Sequence, residues 1–224
     1  MSALNAGADG RQVLEQSLPR LGVVLHVDQV TALLTYLDLI QKWNKVYNLT
    51  AVRDPAEMLT HHLLDSLAVI APLRRQLAGV ALPLRLLDVG SGAGLPGIVI
   101  AICCPDITVH CVDTVGKKAA FIQQVAASLK LPNLRGLHAR VETLTDQYGI
   151  VSSRAFASLM GFTSLSVGAL AEQGVWMAMK GKYPGDEIAA LPVGVEVFHV
   201  EQLMVPGLYA ERCIVWMRRS LASS

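Results

Sequence analysis

The sequence predicts an α/β fold on a mainly parallel sheet, and three observations predict it. Short apolar runs alternate with helical stretches from Leu84 to Lys180, a glycine loop joins the first run to the helix after it, and the segment before Leu84 is patterned as helix alone. With 224 residues, 52% of them hydrophobic, the chain can build one full core and an appendage. The expected organisation is residues 1–80 as a helical cap packed on residues 81–224, with a soft boundary near Gly79–Pro83.

The elements follow in order. Over Asp28–Tyr47, apolar residues recur at Val30, Leu33, Leu34, Leu37, Ile40, Trp43 and Tyr47, one face of a helix with Asp28 as its N-cap. A second helix is expected over His61–Arg75, bent or ended by Pro72. Strands are expected at Leu84–Val89, Thr108–Asp113, Gly136–Arg140, Gly149–Ser153 and Gly174–Lys180. After a helix around Asp186–Leu191, Val193–Val205 and Arg212–Arg218 read as an antiparallel hairpin at the sheet edge, turned through Pro206-Gly207.

Composition narrows the function. The apolar run at Ile98–Cys104 stops at Pro105, well short of the roughly 20 residues a membrane helix needs. The N-terminus has neither the basic start nor the apolar run of a secretory signal, so a cytoplasmic protein is expected. The four cysteines, Cys103, Cys104, Cys111 and Cys213, lack CxxC spacing and read as buried free thiols. His61 and His62 are adjacent and diverge on a helix, so no metal site is expected. A formal net charge of +1 excludes global basicity, and any RNA binding must use a local patch.

The densest signal is Leu86-Leu87-Asp88-Val89-Gly90-Ser91-Gly92-Ala93-Gly94-Leu95-Pro96-Gly97, a strand entering a glycine loop and then a helix. A tight strand-to-helix turn needs positive φ angles and lets a ligand approach the backbone. Glycine spacing alone fits NAD as well as S-adenosylmethionine. Asp88 tips the choice, because a carboxylate there repels a pyrophosphate and attracts an ammonium or a sulfonium. Pro96 removes one N–H that a pyrophosphate would use. Asp113, 25 positions beyond Asp88, ends the second strand where a carboxylate accepts ribose hydroxyls, a feature common to both cofactors. The cofactor-binding set is therefore Asp88, Gly90, Ser91, Gly92, Gly94, Leu95 and Asp113, set against the plainer reading of turn and cap chemistry. After the third strand, Val141 and Glu142 are placed to pass the adenine, and Glu142 reads equally as a first-turn helix acid. An NAD-dependent oxidoreductase would want a Tyr-x-x-x-Lys unit, and none of the five tyrosines has lysine four positions on.

Three further stretches carry a family resemblance: Trp43-Asn44-Lys45-Val46-Tyr47-Asn48-Leu49-Thr50, His62-Leu63-Leu64-Asp65-Ser66-Leu67 and Ser153-Arg154-Ala155-Phe156-Ala157-Ser158-Leu159. With the glycine loop, Asp113-x-x-Gly116-Lys117-Lys118 and Lys180-Gly181, they closely resemble the RsmG (GidB) family of bacterial 16S rRNA guanine-N7 methyltransferases, from about Leu33 to Arg212. The first thirty residues have no clear counterpart.

The resemblance implies a class I, Rossmann-like S-adenosylmethionine-dependent methyltransferase with an N-terminal helical cap. It implies 16S rRNA as partner, one guanosine of the decoding region as target, and a monomer acting on the small subunit or an assembly intermediate. Guanine N7 has an in-plane lone pair and no proton to lose, so the reaction needs positioning and no general base. Arg154, at the sheet's carboxyl edge, is expected at the transfer centre, on the cofactor carboxylate or the guanine O6, against a structural pairing with Asp88, Asp65 or Glu142. Lys180 is expected to meet RNA phosphate, against a solvated strand-end lysine. Lys42, Lys45, Arg53, Lys117, Lys118, Lys182 and Arg212 could form a basic rim. Trp43 and Tyr47 could stack a base or pack in the core. Asn44, Asn48, Thr50, His62 and Asp65 gather polar groups at the turn between the cap helices, over the pocket or as helix caps.

Overall fold

The computed structural model describes residues 3–80, 84–154 and 156–220; part of the expected junction at Gly79–Pro83, and Ala155, lie outside them. Helices α1 (Ala3–Ser17) and α2 (Val27–Tyr47) come first. His26, not Asp28, precedes the first turn of α2, and its backbone N–H donates to the Gln29 side chain at 3.0 Å. Asp28 lies inside that first turn, where the helix dipole favours its charge.

The expected single helix over His61–Arg75 is three pieces, a π-helical turn (Leu59–Leu64), α4 (Asp65–Leu67) and α5 (Ile70–Gln76), and a short α3 (Pro55–Met58) precedes them. The break falls before Pro72, which sits in the first turn of α5, where its missing N–H is not needed. The π-turn rotates successive side chains differently from a regular helix, and His62, Leu63, Leu64 and Asp65 are all buried.

The sheet follows as β1 (Leu84–Val89), α6 (Gly97–Cys103), β2 (Ile107–Asp113), α7 (Gly116–Ser128), β3 (Leu134–His138), β4 (Tyr148–Ser153), α8 (Leu159–Ser166), β5 (Leu170–Lys180), α9 (Gly185–Ala189), β6 (Val195–Leu203) and β7 (Arg212–Arg219). Its order is β3-β2-β1-β4-β5-β7-β6. The first five strands run parallel and β7 joins β5 and β6 antiparallel, so the expected hairpin is the sheet's edge.

β2 and β4 start one residue earlier than the apolar runs suggested, and two strands differ by more. β3 begins at Leu134, which pairs with Val109, and ends at His138, leaving Arg140 outside it. Gly136 falls mid-strand because α7 presses on it: a Cβ there would lie 2.5 Å from the Ala119 carbonyl oxygen. β5 begins at Leu170, across a register shift opposite Tyr148 and Ile150.

One apolar cluster runs from the N-terminal helices into the sheet, including Leu14, Leu33, Ile40, Leu63, Leu86, Ile98 and Met177. Side chains from three elements finish α6, whose orphan C-terminal carbonyls need partners. Asn133 donates to the Ala101 oxygen at 3.0 Å, Gln29 to Ile102 at 2.8 Å and Arg74 to Cys103 at 3.0 Å. The four cysteines are buried free thiols. No helix among the described residues is long and apolar enough to cross a membrane.

Candidate active site

The carboxyl ends of the parallel strands are where a doubly wound sheet opens a crevice, between β1 and β4 where the order reverses. The glycine loop lies there. Gly90, Gly92 and Gly94 have φ of 65°, 60° and 88°, a region side chains with a Cβ avoid. Their surroundings differ. A Cβ on Gly94 would stand 2.3 Å from Ile98 Cδ1, and one on Gly97 would stand 2.4 Å from the Cys111 sulfur, so these two let the chain pack on itself. A Cβ on Gly90 or Gly92 would meet nothing within 4 Å, so these two face an opening.

Two carboxylates hold the loop. Asp88 is fully buried; Oδ2 accepts the Gly97 N–H at 3.1 Å and Oδ1 the Ser152 hydroxyl at 3.0 Å. Burial pushes its pKa up to about 7, against those hydrogen bonds and the nearby Arg154 charge. Asp88 therefore caps the start of α6 from below the loop. Asp113 Oδ2 accepts the Gly92 N–H at 3.0 Å and Oδ1 the Val115 N–H at 2.9 Å, with Lys118 Nζ at 3.6 Å. A carboxylate has about four acceptor sites, so lone pairs remain on Asp113. From above, the Tyr36 hydroxyl of α2 donates to the Ala93 oxygen at 2.7 Å.

Ser91 and Leu95 are buried in the loop. Val141 is buried in the cluster that contains Val89 and Val112, and Glu142 beside it is exposed, paired with Arg140 at 3.1 Å. A hydrogen bond from its own backbone, and then the Arg140 pairing, hold the Glu142 carboxyl below its ordinary range.

A cleft of about 410 Å³ opens at the carboxyl ends of β4 and β5, lined by Val52, His61, His62, Asp65, Arg154, Met179, Lys180, Gly181 and Arg212. Asp65, 3% exposed, organises it. Its Oδ1 accepts Arg212 Nε at 2.9 Å and its Oδ2 faces Arg154 Nη1 at 3.4 Å, while Arg154 also donates to the His61 oxygen at 3.1 Å. Arg154 thus has one of the pairings the sequence allowed, and its charge still reaches Asp88 and Tyr36. Lys180 Nζ lies 2.8 and 3.1 Å from the Glu187 carboxylate oxygens, and Glu187 also accepts the Leu159 N–H at 2.7 Å.

The cap turn closes the cleft's other wall. Asn44 accepts the Thr50 N–H at 2.9 Å and donates to the Val52 oxygen at 3.2 Å, and Thr50 Oγ1 meets His62 Nε2 at 2.8 Å. Burial, and then Arg154, lower the His62 pKa to about 4. Asn48 ends α2 in the left-handed region at φ 50°. Trp43 packs edge-on against Phe121 with centroids 5.3 Å apart, which places it in the core, while Tyr47 is exposed. Of the residues in these contacts, Tyr36, Ser152 and Glu187 were invisible to pattern reading: each acts through hydrogen bonds to another element from one that reads as ordinary helix or strand.

The matched family model covers residues 29–215 and is described as GidB, rRNA small subunit methyltransferase G. The chain belongs to the GidB family. Among its curated relatives, the ribosomal RNA small subunit methyltransferase G of Albidiferax ferrireducens is 68% identical over 217 residues, covering 93% of this chain and 97% of its own. That of a Polaromonas species is 65% identical over 217 residues, covering 96% of each chain. Solved structures share the fold at low identity: TrmN from Thermus thermophilus aligns with TM-score 0.56 at 17% identity over 72% of this chain and 53% of its own. The glycopeptide N-methyltransferase MtfA, complexed with S-adenosylmethionine, aligns with TM-score 0.53 at 10% identity over 67% and 87%. The fold is that of class I methyltransferases, and the MtfA structure holds S-adenosylmethionine. The site suits it: the open faces of Gly90 and Gly92 leave room, and the Ser153 hydroxyl at the end of β4 is buried without a partner among the described residues.

Proposed function

We propose that this GidB-family chain methylates N7 of a single guanosine in the decoding region of 16S rRNA, within the small ribosomal subunit or an assembly intermediate, as a cytoplasmic monomer. In this reading residues 1–80 form the cap and residues 81–224 the cofactor-binding core. The cofactor supplies an electrophilic methyl on a sulfonium, and positive charge passes to the base with the methyl. The observation that carries the reading is the family match together with a cleft in which the two buried titratable side chains, His62 and Asp65, are already engaged. His62 has Nε2 occupied by Thr50 and a pKa near 4, and Asp65 is engaged by two arginines. An acceptor with a ready lone pair, such as N7, is the kind such a site can serve.

The residues then divide the work. Gly90, Ser91, Gly92, Gly94 and Leu95 shape the cradle, and Asp88 fixes it by capping α6. Asp113 accepts the ribose hydroxyls on its remaining lone pairs, and Val141 and Glu142 border the adenine. Arg154, between cradle and cleft, orients the acceptor or the cofactor's carboxylate. Its charge opposes a cationic product, and the Asp65 carboxylate offsets that opposition. Lys180, held by Glu187, braces the cleft floor and presents RNA phosphate with a partly neutralised charge.

The test is transfer of a deuterated methyl group to small ribosomal subunits lacking the modification, followed by mass spectrometry of nuclease fragments. Label in one 7-methylguanosine fragment is expected. Label on another atom, on many sites or on none would overturn the assignment.

A further inference from the structure

The fold buries large aromatics thoroughly: Trp176, Trp216, Tyr36 and Tyr148 all lie at or below 1% exposure. Tyr47, at 41%, packs on Trp43, and the two most exposed tyrosines are Tyr209 at 103% and Tyr183 at 55%. Neither is on the remote side of the molecule. Tyr183 follows Gly181, which lines the cleft, on the β5–α9 loop, and Tyr209 precedes Arg212, which also lines it, on the β6–β7 loop.

The two loops touch. A Cβ on Gly181 would lie 3.9 Å from the Glu211 oxygen, and the Cys213 thiol donates to the Lys182 oxygen at 3.6 Å. The β6–β7 loop also reaches the cap, since a Cβ on Gly207 would lie 3.8 Å from Thr60, next to cleft-lining His61. The loops that carry the two tyrosines therefore meet at one edge of the cleft.

Charge explains what that rim is for. The whole chain carries a formal +1. Within the cleft Lys180 is paired with Glu187, and Arg154 and Arg212 share Asp65. Phosphate attraction at the site is correspondingly weak, and most non-specific nucleic-acid affinity comes from that attraction. An unpaired base has a second means of attachment, its π-face, which stacks on aromatic side chains whatever its identity.

We propose that Tyr183 and Tyr209 are a stacking surface for unpaired RNA bases flanking the target nucleotide. The proposal rests on the rRNA reading above. Exposed Lys182 and Arg53 are chain neighbours of the cleft-lining Gly181 and Val52 and would meet the intervening phosphates.

The experiment is steady-state methyl transfer to unmodified small subunits, together with binding of protein-stripped small-subunit rRNA, for Y183A, Y209A, Y183F and Y209F. Both positions are exposed, so the variants fold. Each alanine variant is expected to raise the KM for subunits and weaken RNA binding by about 5- to 150-fold, the loss of about one stacked base. The phenylalanine variants are expected to match wild type, with kcat and cofactor affinity unchanged throughout. Alanine variants like wild type, or phenylalanine variants as weak as alanine, would overturn the proposal, as would weakening confined to intact subunits, which would mean a protein contact. A wild-type enzyme that makes no 7-methylguanosine would instead sink the proposed function, and the RNA-binding readout would still decide the stacking.

Discussion

The glycine loop and the cleft at the carboxyl ends of β4 and β5 are built in opposite ways. The loop is one contiguous segment, Asp88–Gly97, whose shape is set by glycine conformation and by carboxylates from β1 and β2. The cleft has no segment of its own: Asp65 from the cap meets Arg154 from the end of β4 and Arg212 from β7, the last 147 positions away. A pocket for one cofactor can be local and rigid. A pocket for a large acceptor is assembled from distant pieces, and long-range ion pairs hold it in register.

The largest effect should come from unpinning the cleft. Asp65→Asn leaves two partly buried guanidinium groups without their carboxylate, and breaking such a pair costs about 3 kcal/mol. Urea denaturation should show that loss while the cofactor affinity of the folded fraction is retained; an unchanged midpoint would mean the arginines find other partners and the cleft is not held this way.

A smaller loss is expected in the loop. Gly97→Ala forces a methyl to 2.4 Å from the Cys111 sulfur and should cost about 2 kcal/mol by overpacking. Cofactor affinity, read by calorimetry, should fall with it because α6 and the cradle move together. If stability falls and affinity does not, the packing under α6 is independent of the cradle.

Tyr36→Phe separates the cap's role from the sheet's. It removes one buried hydrogen bond to the Ala93 oxygen, worth about 1 kcal/mol, and should weaken cofactor binding modestly without altering the acceptor's KM. A change confined to the acceptor's KM would assign Tyr36 to the cleft instead.

The smallest effect is in the wild type's response to pH, because loop and cleft oppose each other. Asp88, raised from 3.8 to about 7, contributes stability that is present below pH 3.8 and lost as pH rises towards 7. His62, lowered from 6.5 to about 4, contributes in the other sense: its stability is present above pH 6.5 and lost as pH falls towards 4. Between pH 4 and 6.5 the two slopes cancel. Asp88→Asn should make stability rise more steeply with pH in that window, and His62→Gln should make it fall; equal slopes in both variants and wild type would refute the pair.

The same contrast explains what could be read in advance. Asp88, Gly90, Gly92 and Asp113 were legible as one strand-to-helix loop because their geometry is local, and the strand-helix alternation gave the sheet. The hairpin's existence was also readable, though not that β7 would lie between β5 and β6. The π-turn was not, since Leu59–Leu64 has the apolar spacing of an ordinary helix. Asp65, Arg154 and Arg212 were all noticed as polar residues, but which would meet depended on chain folding over more than a hundred positions. Lys180 read as a free cation because Glu187, seven residues on, belongs to a helix whose packing the sequence did not fix.

The most direct test of this division is calorimetric titration of S-adenosylmethionine into wild type, Gly97→Ala and Arg212→Ala. One cofactor per chain is expected for wild type, the same affinity for Arg212→Ala, and a weakened affinity for Gly97→Ala. Loss of binding in Arg212→Ala, with Gly97→Ala unaffected, would contradict the assignment of loop to cofactor and cleft to acceptor.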